Sequence, residues 1–269
     1  MTGVQTCAIP IYFNFGVDVI DASAAEGDKT AYIWVDRSGC VVEHHSFSDL
    51  SQASNRFANV LHQIGACKGD CAVVIMPRIP AWYEVVIGCI KAGIVAMPGT
   101  NLLTAKDIEY RINKSNATVA VVSMEHVSKI ETIKDRCPTL SHLILVGGEQ
   151  TGWFSYEKAC AQAGVQPDPG AVVHSRSDEI MMAYFTSGTT SLPKMVPRNH
   201  GYALGHVVTG KYWMDLKEDD VHWTLSDTGW AKAAWGMLFP QWLFGTAAVL
   251  YDGDAKFDEI GRASCRGRV

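Results

Sequence analysis

Apolar residues recur at helical spacing over residues 17–25, which predicts a short helix near the start of the chain. Residues 30–35 and 40–45 then read as two strands around Asp36-Arg37-Ser38-Gly39, a hairpin. Leu50, Phe57, Val60, Leu61 and Ile64 return to helical spacing behind Ser48, the expected cap, and Gly65 stops that helix. The continuous apolar stretch 71–76 predicts a strand buried on both faces. Pro80 opens a helix over 81–92 that Gly93 closes, and a short strand follows at 94–97. Thr104 caps a helix over 105–114, with Asp107 in the first turn where the helix dipole favours a carboxylate. A strand over 118–123, a helix over 127–136, a strand over 142–146 and a helix over 155–163 continue the alternation.

This spacing predicts an α/β fold of layered, mostly parallel sheets with flanking helices on both faces. Residues 164–178, with Pro167, Asp168, Pro169 and Gly170 in a row, read as a loop and a subdomain joint rather than a flexible linker. Beyond it come a buried strand over 180–185, a helix over 202–213 and a strand over 221–225. An apolar, Trp-bearing helix over 231–239 and a last strand over 247–251 complete the pattern. No internal repeat is visible, and no apolar run has the length of a membrane span.

Composition changes this picture little: 48% of residues are hydrophobic, ample for a core. The two ends, 1–11 and 259–269, resemble in-frame translations of sequencing-adapter oligonucleotides, so 12–258 is expected to be the native part. Setting aside Arg262, Arg266, Arg268 and Glu259 takes 23 basic and 28 acidic residues to 20 and 27, a balance of −7. Such an acidic chain is a poor nucleic-acid binder. Six cysteines remain between the ends, scattered and mostly within apolar segments, as expected of buried thiols in a cytoplasmic protein. Cys67 and Cys71 lack a second pair or a nearby His for zinc.

Most polar clusters have plain readings. Gly147-Gly148-Glu149-Gln150-Thr151-Gly152 departs from dinucleotide-loop spacing and reads as a turn. The pair His44-His45 reads as surface, Lys217-Glu218-Asp219-Asp220 as a solvated turn, and His200 and His222 as structural histidines. Trp235 is expected in the core, and Arg198 is a secondary candidate for a phosphate contact.

The segment Thr186-Ser187-Gly188-Thr189-Thr190-Ser191-Leu192-Pro193-Lys194 is different. Its hydroxyls and backbone N–H groups, a Gly that lets the backbone close on a ligand, and a Lys at the far end suit a polyphosphate. It is no Walker A loop, because Pro193 and Met195 occupy the places of the required Gly and Ser or Thr. It resembles the phosphate loop of the adenylate-forming superfamily, Thr-Ser-Gly-Thr-Thr-Gly-x-Pro-Lys, with Ser191 where a Gly is usual. Ser226-Asp227-Thr228-Gly229-Trp230 resembles a second motif of the superfamily's short- and medium-chain acyl-CoA synthetases.

The resemblance implies the first part of a large N-terminal domain whose parent activates a carboxylic acid with ATP and Mg²⁺ and passes it to coenzyme A. It implies that Thr186, Ser187, Gly188, Thr189, Thr190, Ser191, Leu192, Pro193 and Lys194 meet the nucleotide, Lys194 being the catalytic candidate. Trp230 would wall the acid pocket, a role that ordinary packing could also explain. The superfamily's later segments, including its Mg²⁺-associated Glu, are not found in 12–258, so the chain alone is expected to lack ligase activity. An amino-acid adenylation domain that loads a carrier protein, or a degenerate non-catalytic nucleotide-binding module, are the alternatives. Nothing in the sequence specifies an oligomeric state.

Overall fold

The computed structural model describes residues 9–186 and 192–253. After a π-helical turn, Gly16–Asp21, and the short helix α1, Ala22–Glu26, the chain forms β1, Thr30–Val35, and β2, Val42–Ser46. These pair antiparallel, and Asp36 closes their turn by accepting from the Cys40 and Val41 N–H groups. Helix α2, Phe47–Gln63, starts two residues before the expected point, capped by Ser46 rather than Ser48. A capping box needs an acidic or amide side chain three residues on; Ser46 finds Asp49 there, whereas Ser48 would find Ser51.

Then follow β3, Cys71–Ile75; α3, Pro80–Ala92; β4, Val95–Pro98; α4, Ala105–Ser115; and β5, Val119–Ser123. The helix expected over 127–136 is broken into α5, Val127–Glu131, and a single 3₁₀ turn, Lys134–Arg136. Between them Thr132 turns its hydroxyl back onto the Lys129 carbonyl (2.8 Å), competing with the helical ladder. Next come β6, His142–Val146; β7, Phe154–Ser155; and α6, Tyr156–Gln162. Residues 164–178 hold no helix and no strand of the sheets, yet they are pinned to α2. Asn59 Nδ2 donates to the Gly164 (3.0 Å) and Gln166 (2.8 Å) carbonyls.

The last part runs β8, Ile180–Thr186; β9, Lys194–Asn199; α7, Gly201–Tyr212; and β10, Val221–Trp223, two residues shorter than expected. The expected helix over 231–239 is α8, Ala231–Ala233, a π turn, Ala234–Leu238, and α9, Phe239–Leu243, followed by β11, Ala247–Tyr251. Proline explains the wide turn. Pro240 has no N–H to give the Gly236 carbonyl four residues back, and Gln241 Nε2 donates there instead (3.0 Å).

Among the described residues the strands form two sheets. One has the order β7-β6-β5-β3-β4-β8-β9, parallel except for β8 and β9; the other has the order β10-β11-β1-β2. In the second sheet β11 runs parallel to both β1 and β10. The strand alternation divides the core. Ala72 and Val74 face a cluster with Phe57, Val85 and Val86 that also takes in Tyr32 and Leu250 of the smaller sheet, so α2 and α3 lie between the two sheets. Val73 and Ile75 face the other way, onto Ile108, Ile112 and Ile130.

Helices α2 and α3 cross at Gly88. A Cβ there would stand 2.8 Å from Phe57 Cδ1 and 2.9 Å from the Ser54 carbonyl oxygen, and the second of these belongs to a helix backbone that cannot yield. Gly88→Ala is therefore expected to destabilise the chain by about 1–3 kcal/mol, an overpacking cost that exceeds the usual helix gain of alanine. Urea unfolding followed by circular dichroism measures this.

Candidate active site

Parallel strands send all their carboxyl ends to one edge of a sheet, and ligands in such folds bind in the crevice beyond that edge. Here the segments after β3, β4, β5 and β6, together with the 226–230 turn after β10, surround a cavity of about 710 Å³. Its lining includes Arg78, Asn101, Leu102, Met124, Glu125 and Trp230. Leu102, Met124 and Trp230 expose apolar surface at its rim, with Trp230 58% accessible. Trp230 thus lines the cavity and is not packed between helix and sheet.

The turn that carries Trp230 is tied down along its length. Asp227 accepts from Thr100 Oγ1 (3.0 Å) and from the Gly229 N–H (2.8 Å), and Thr228 Oγ1 donates to the Met76 carbonyl (2.9 Å). Gly229 lies directly on the main chain of Gly99 and Thr100, where any Cβ would come within 1.9 Å of the Thr100 nitrogen. Only glycine permits that approach. Each residue of Asp227-Thr228-Gly229-Trp230 therefore has its own part: anchor, anchor, close contact and wall.

The candidate phosphate loop leaves the same edge. β8 neighbours β4 in parallel, with Ala96 opposite Met182, so the loop after β8 leaves one strand away from the Asn101 and Leu102 wall of the cavity. β9 returns antiparallel, with Thr186 opposite Lys194 and Phe185 opposite Met195, so the two ends of the loop sit side by side. Ser187, Gly188, Thr189, Thr190 and Ser191 lie outside the described residues. Thr186, Leu192 and Lys194 are exposed and Pro193 is half-buried. Helix α4 supports the base of the hairpin: Tyr110 donates its hydroxyl to the Pro193 carbonyl (2.9 Å), and Arg111 lies 5.1 Å over the Phe185 ring.

Other candidates fall away from this edge or into supporting roles. Arg198 stacks on Tyr202 (5.0 Å). His44 is exposed, but its neighbour His45 stacks face-on with Tyr32 (4.5 Å, 9°) and is not simple surface. His222 bonds Thr224 Oγ1 (2.9 Å), as a structural histidine should. Trp235 is half-buried against the exposed Trp213 (5.5 Å), so its expected place in the core is corrected. The π turn explains the change, because it carries residue 235 outward relative to a regular helix. Cys89 and Cys137 are buried, whereas Cys40 and Cys67 are exposed. Asp220 accepts from the Lys217 N–H (2.8 Å) in a plain turn. Gly147 N donates to Glu157 Oε1 (2.7 Å), so that glycine run is also a turn, though Gly147 reaches the cavity.

Arg78, Asn101, Met124 and Glu125 were not marked by any motif. Their signal was positional, since each falls within three residues of the end of β3, β4 or β5. Among the described residues no group of three His, Cys, Asp or Glu side chains could hold a metal ion, so these residues form no Mg²⁺ cage.

The chain matches the AMP-binding enzyme family over residues 20–265. It belongs to that family. The AMP-binding domain is 41% identical over 260 residues to human acyl-coenzyme A synthetase ACSM4, mitochondrial, covering 93% of this chain and 44% of that one. It is 36% identical over 254 residues to human acyl-coenzyme A synthetase ACSM3, mitochondrial (90% and 42%). The chain thus spans about 44% of the length of these curated relatives. Among solved structures, the anthranilate CoA ligase AuaEII in complex with anthranoyl-AMP superposes with a TM-score of 0.85 at 25% identity, over 94% of this chain and 48% of the other. A Brucella canis acyl-CoA synthetase shares the fold with a TM-score of 0.85 at 23% identity (95% and 46%). The expected fold, the layered α/β N-terminal domain of adenylate-forming enzymes, is the one observed. No helix among the described residues is long and apolar enough to cross a membrane.

His200, at the start of α7, is a buried core histidine of this domain. It is 1% exposed, its Nδ1 has no partner among the described residues, and burial pushes it down from 6.5 to about 4. Between those values the unfolded chain binds the extra proton and the folded one does not, so stability falls as pH drops through that window. The loss from His200 is expected to be on the order of 1–3 kcal/mol. His200→Gln should flatten this part of the pH profile of denaturation free energy.

Proposed function

We propose that the protein built on this AMP-binding domain is an acid–thiol ligase. It joins a carboxylic acid, of the short- or medium-chain fatty class, to ATP as an acyl-adenylate, then forms the coenzyme A thioester. The observation that carries this reading is the juxtaposition on one sheet edge of a hairpin-closed phosphate loop and a cavity rimmed by Leu102, Met124 and Trp230. The names of the relatives support the ligase over an amino-acid-adenylating domain.

In the first step a carboxylate oxygen attacks the α-phosphorus and the bond to the pyrophosphate oxygen breaks. The acid is already ionised at neutral pH, so no general base is needed. Negative charge grows on the departing pyrophosphate. The hydroxyls and N–H groups of Thr186–Lys194, with the Lys194 ammonium, are assigned to that charge and to aligning the leaving group. In the second step the thiol sulfur of coenzyme A forms the new bond to the acyl carbon, its proton is lost and AMP departs. Mg²⁺ is the expected companion of ATP, whose polyphosphate charge it would share. Trp230 is assigned to the wall against which the acyl chain lies. The proposed native extent is 12–258. The proposed compartment is the cytoplasm; the relatives named above are mitochondrial proteins, and a fluorescent fusion of the full-length protein decides between the two.

Acid-dependent ATP–pyrophosphate exchange by the full-length protein tests the ligase reading. Exchange is expected with straight-chain acids, and Lys194→Met should lower it about 10²- to 10³-fold, as loss of one charge-stabilising donor does. Exchange with amino acids alone, or none with any acid, would overturn the assignment.

A further inference from the structure

Arg78 does more than line the cavity. Its Nε donates to the Tyr251 carbonyl (2.6 Å), its Nη1 to the Ser226 carbonyl (2.9 Å) and its Nη2 to the Gly253 carbonyl. Its own carbonyl accepts from Trp34 Nε1 (3.0 Å). Trp34 lies in β1 and Tyr251 ends β11, so Arg78, three residues past β3, clasps the large sheet to the small one. Met76, two residues earlier, takes the Thr228 hydroxyl. The turn bearing Trp230 therefore hangs from the Met76–Arg78 segment at two points and from Thr100 at a third. A guanidinium presents donors in three directions of one plane; a lysine ammonium at the end of a flexible stem does not reproduce that fork.

We propose that Arg78 is a positioning residue that, by holding the Ser226 carbonyl, fixes where the Trp230 indole stands in the cavity and thereby sets the chain length of acid the cavity accepts. This rests on the assignment of the cavity to the acid, made above. Arg78 and Ser226 border the cavity, so the Ser226 carbonyl released by loss of the guanidinium lies beside water, whereas the buried Tyr251 and Gly253 lose a donor away from it. Loss of the guanidinium therefore lowers stability, while the turn stays tethered at Asp227 and Thr228. The indole shifts without detaching. Because one methylene changes affinity for an apolar pocket by about tenfold or more, a small shift of the wall is enough to change length preference.

Incorporation of 5-fluorotryptophan into the full-length protein gives one ¹⁹F resonance for each tryptophan, eight of which lie in these 269 residues, and Trp230→Phe identifies that of Trp230. Butanoate, octanoate and dodecanoate are titrated against the parent, Arg78→Met, Arg78→Lys and the control Ile130→Val, which loosens the core on the far face of the sheet. In Arg78→Met the unliganded Trp230 resonance should move, and the ratios of dissociation constants among the three acids should change by about threefold or more. Arg78→Lys should fall between Arg78→Met and the parent, and Ile130→Val should match the parent. If Arg78→Met does not fold, Arg78→Lys carries the comparison. A parent that responds to the acids while the Arg78 variants keep both its resonance and its length profile overturns the positioning role. A parent in which no acid moves the Trp230 resonance overturns the cavity assignment itself, and the selectivity role with it.

Discussion

Trp82, Tyr83, Val85, Val86, Ile87, Cys89 and Ile90 of α3 are all shut off from water, so this helix must be covered from more than one side. Each such side chain contributes roughly 1.5–3 kcal/mol when fully buried, so leaving one flank bare would forfeit a large part of the domain's stability. The large sheet covers one flank, and β1 and β11 of the small sheet cover the other. That is why strands more than 200 residues apart, Tyr32 beside Ala248, become neighbours. The charge buried with this helix belongs to Lys91. Its Nζ donates to Asp21 and to Asn55 Oδ1 (2.7 Å), and burial lowers its pKa against the pull of Asp21. A paired charge in that place costs more than an apolar residue would, but it sets how the 16–26 segment meets α2 and α3.

Two sheets covering one helix must also meet along an edge, and the candidate site is that seam. The large sheet brings the carboxyl ends of β3, β4 and β5 there; the small sheet brings those of β10 and β11. Backbone carbonyls at strand ends lack ladder partners and need donors. Arg78 supplies three, and Thr228 supplies one to Met76. The bonds that satisfy the seam are thus the bonds that place the walls of the cavity. Fold and site share them, and Gly229 shows how closely the two backbones must approach for this to hold.

Local chemistry was legible in the sequence, and distant pairing was not. Thr104 with Asp107, Pro80 and Gly93 stand at helix ends as their chemistry requires. Ser48 is not the cap because the acid of a capping box must sit three residues beyond the serine, as Asp49 does for Ser46. Apolar spacing over 231–239 does not register the Gly236 carbonyl that Pro240 leaves bare, which breaks the regular helix there. Gly229 was legible as a turn glycine, but its close contact with Thr100 depends on the 128 residues of fold between them. Arg78 carried no motif, because a residue that bonds main-chain carbonyls reads position rather than partner identity. The small sheet could not be ordered from strand patterns alone, since nothing local says that β11 pairs with β1.

Among the described residues the large sheet holds a single antiparallel pair, β8 with β9. A parallel return from β8 would need a crossover of a dozen residues or more and would carry Lys194 to the far end of its strand. An antiparallel return sets Lys194 directly opposite Thr186, so a cation and a hydroxyl end up together at the mouth of the loop. Among the described residues it also leaves β9 at the edge of the sheet, a place that normally invites pairing with other chains. Pro197 offers no N–H there, and Lys194 and Arg198 put charge along the strand, which blunts such pairing. The lysine proposed to meet a polyphosphate is thus also a residue that an exposed edge favours. One strand direction satisfies both demands.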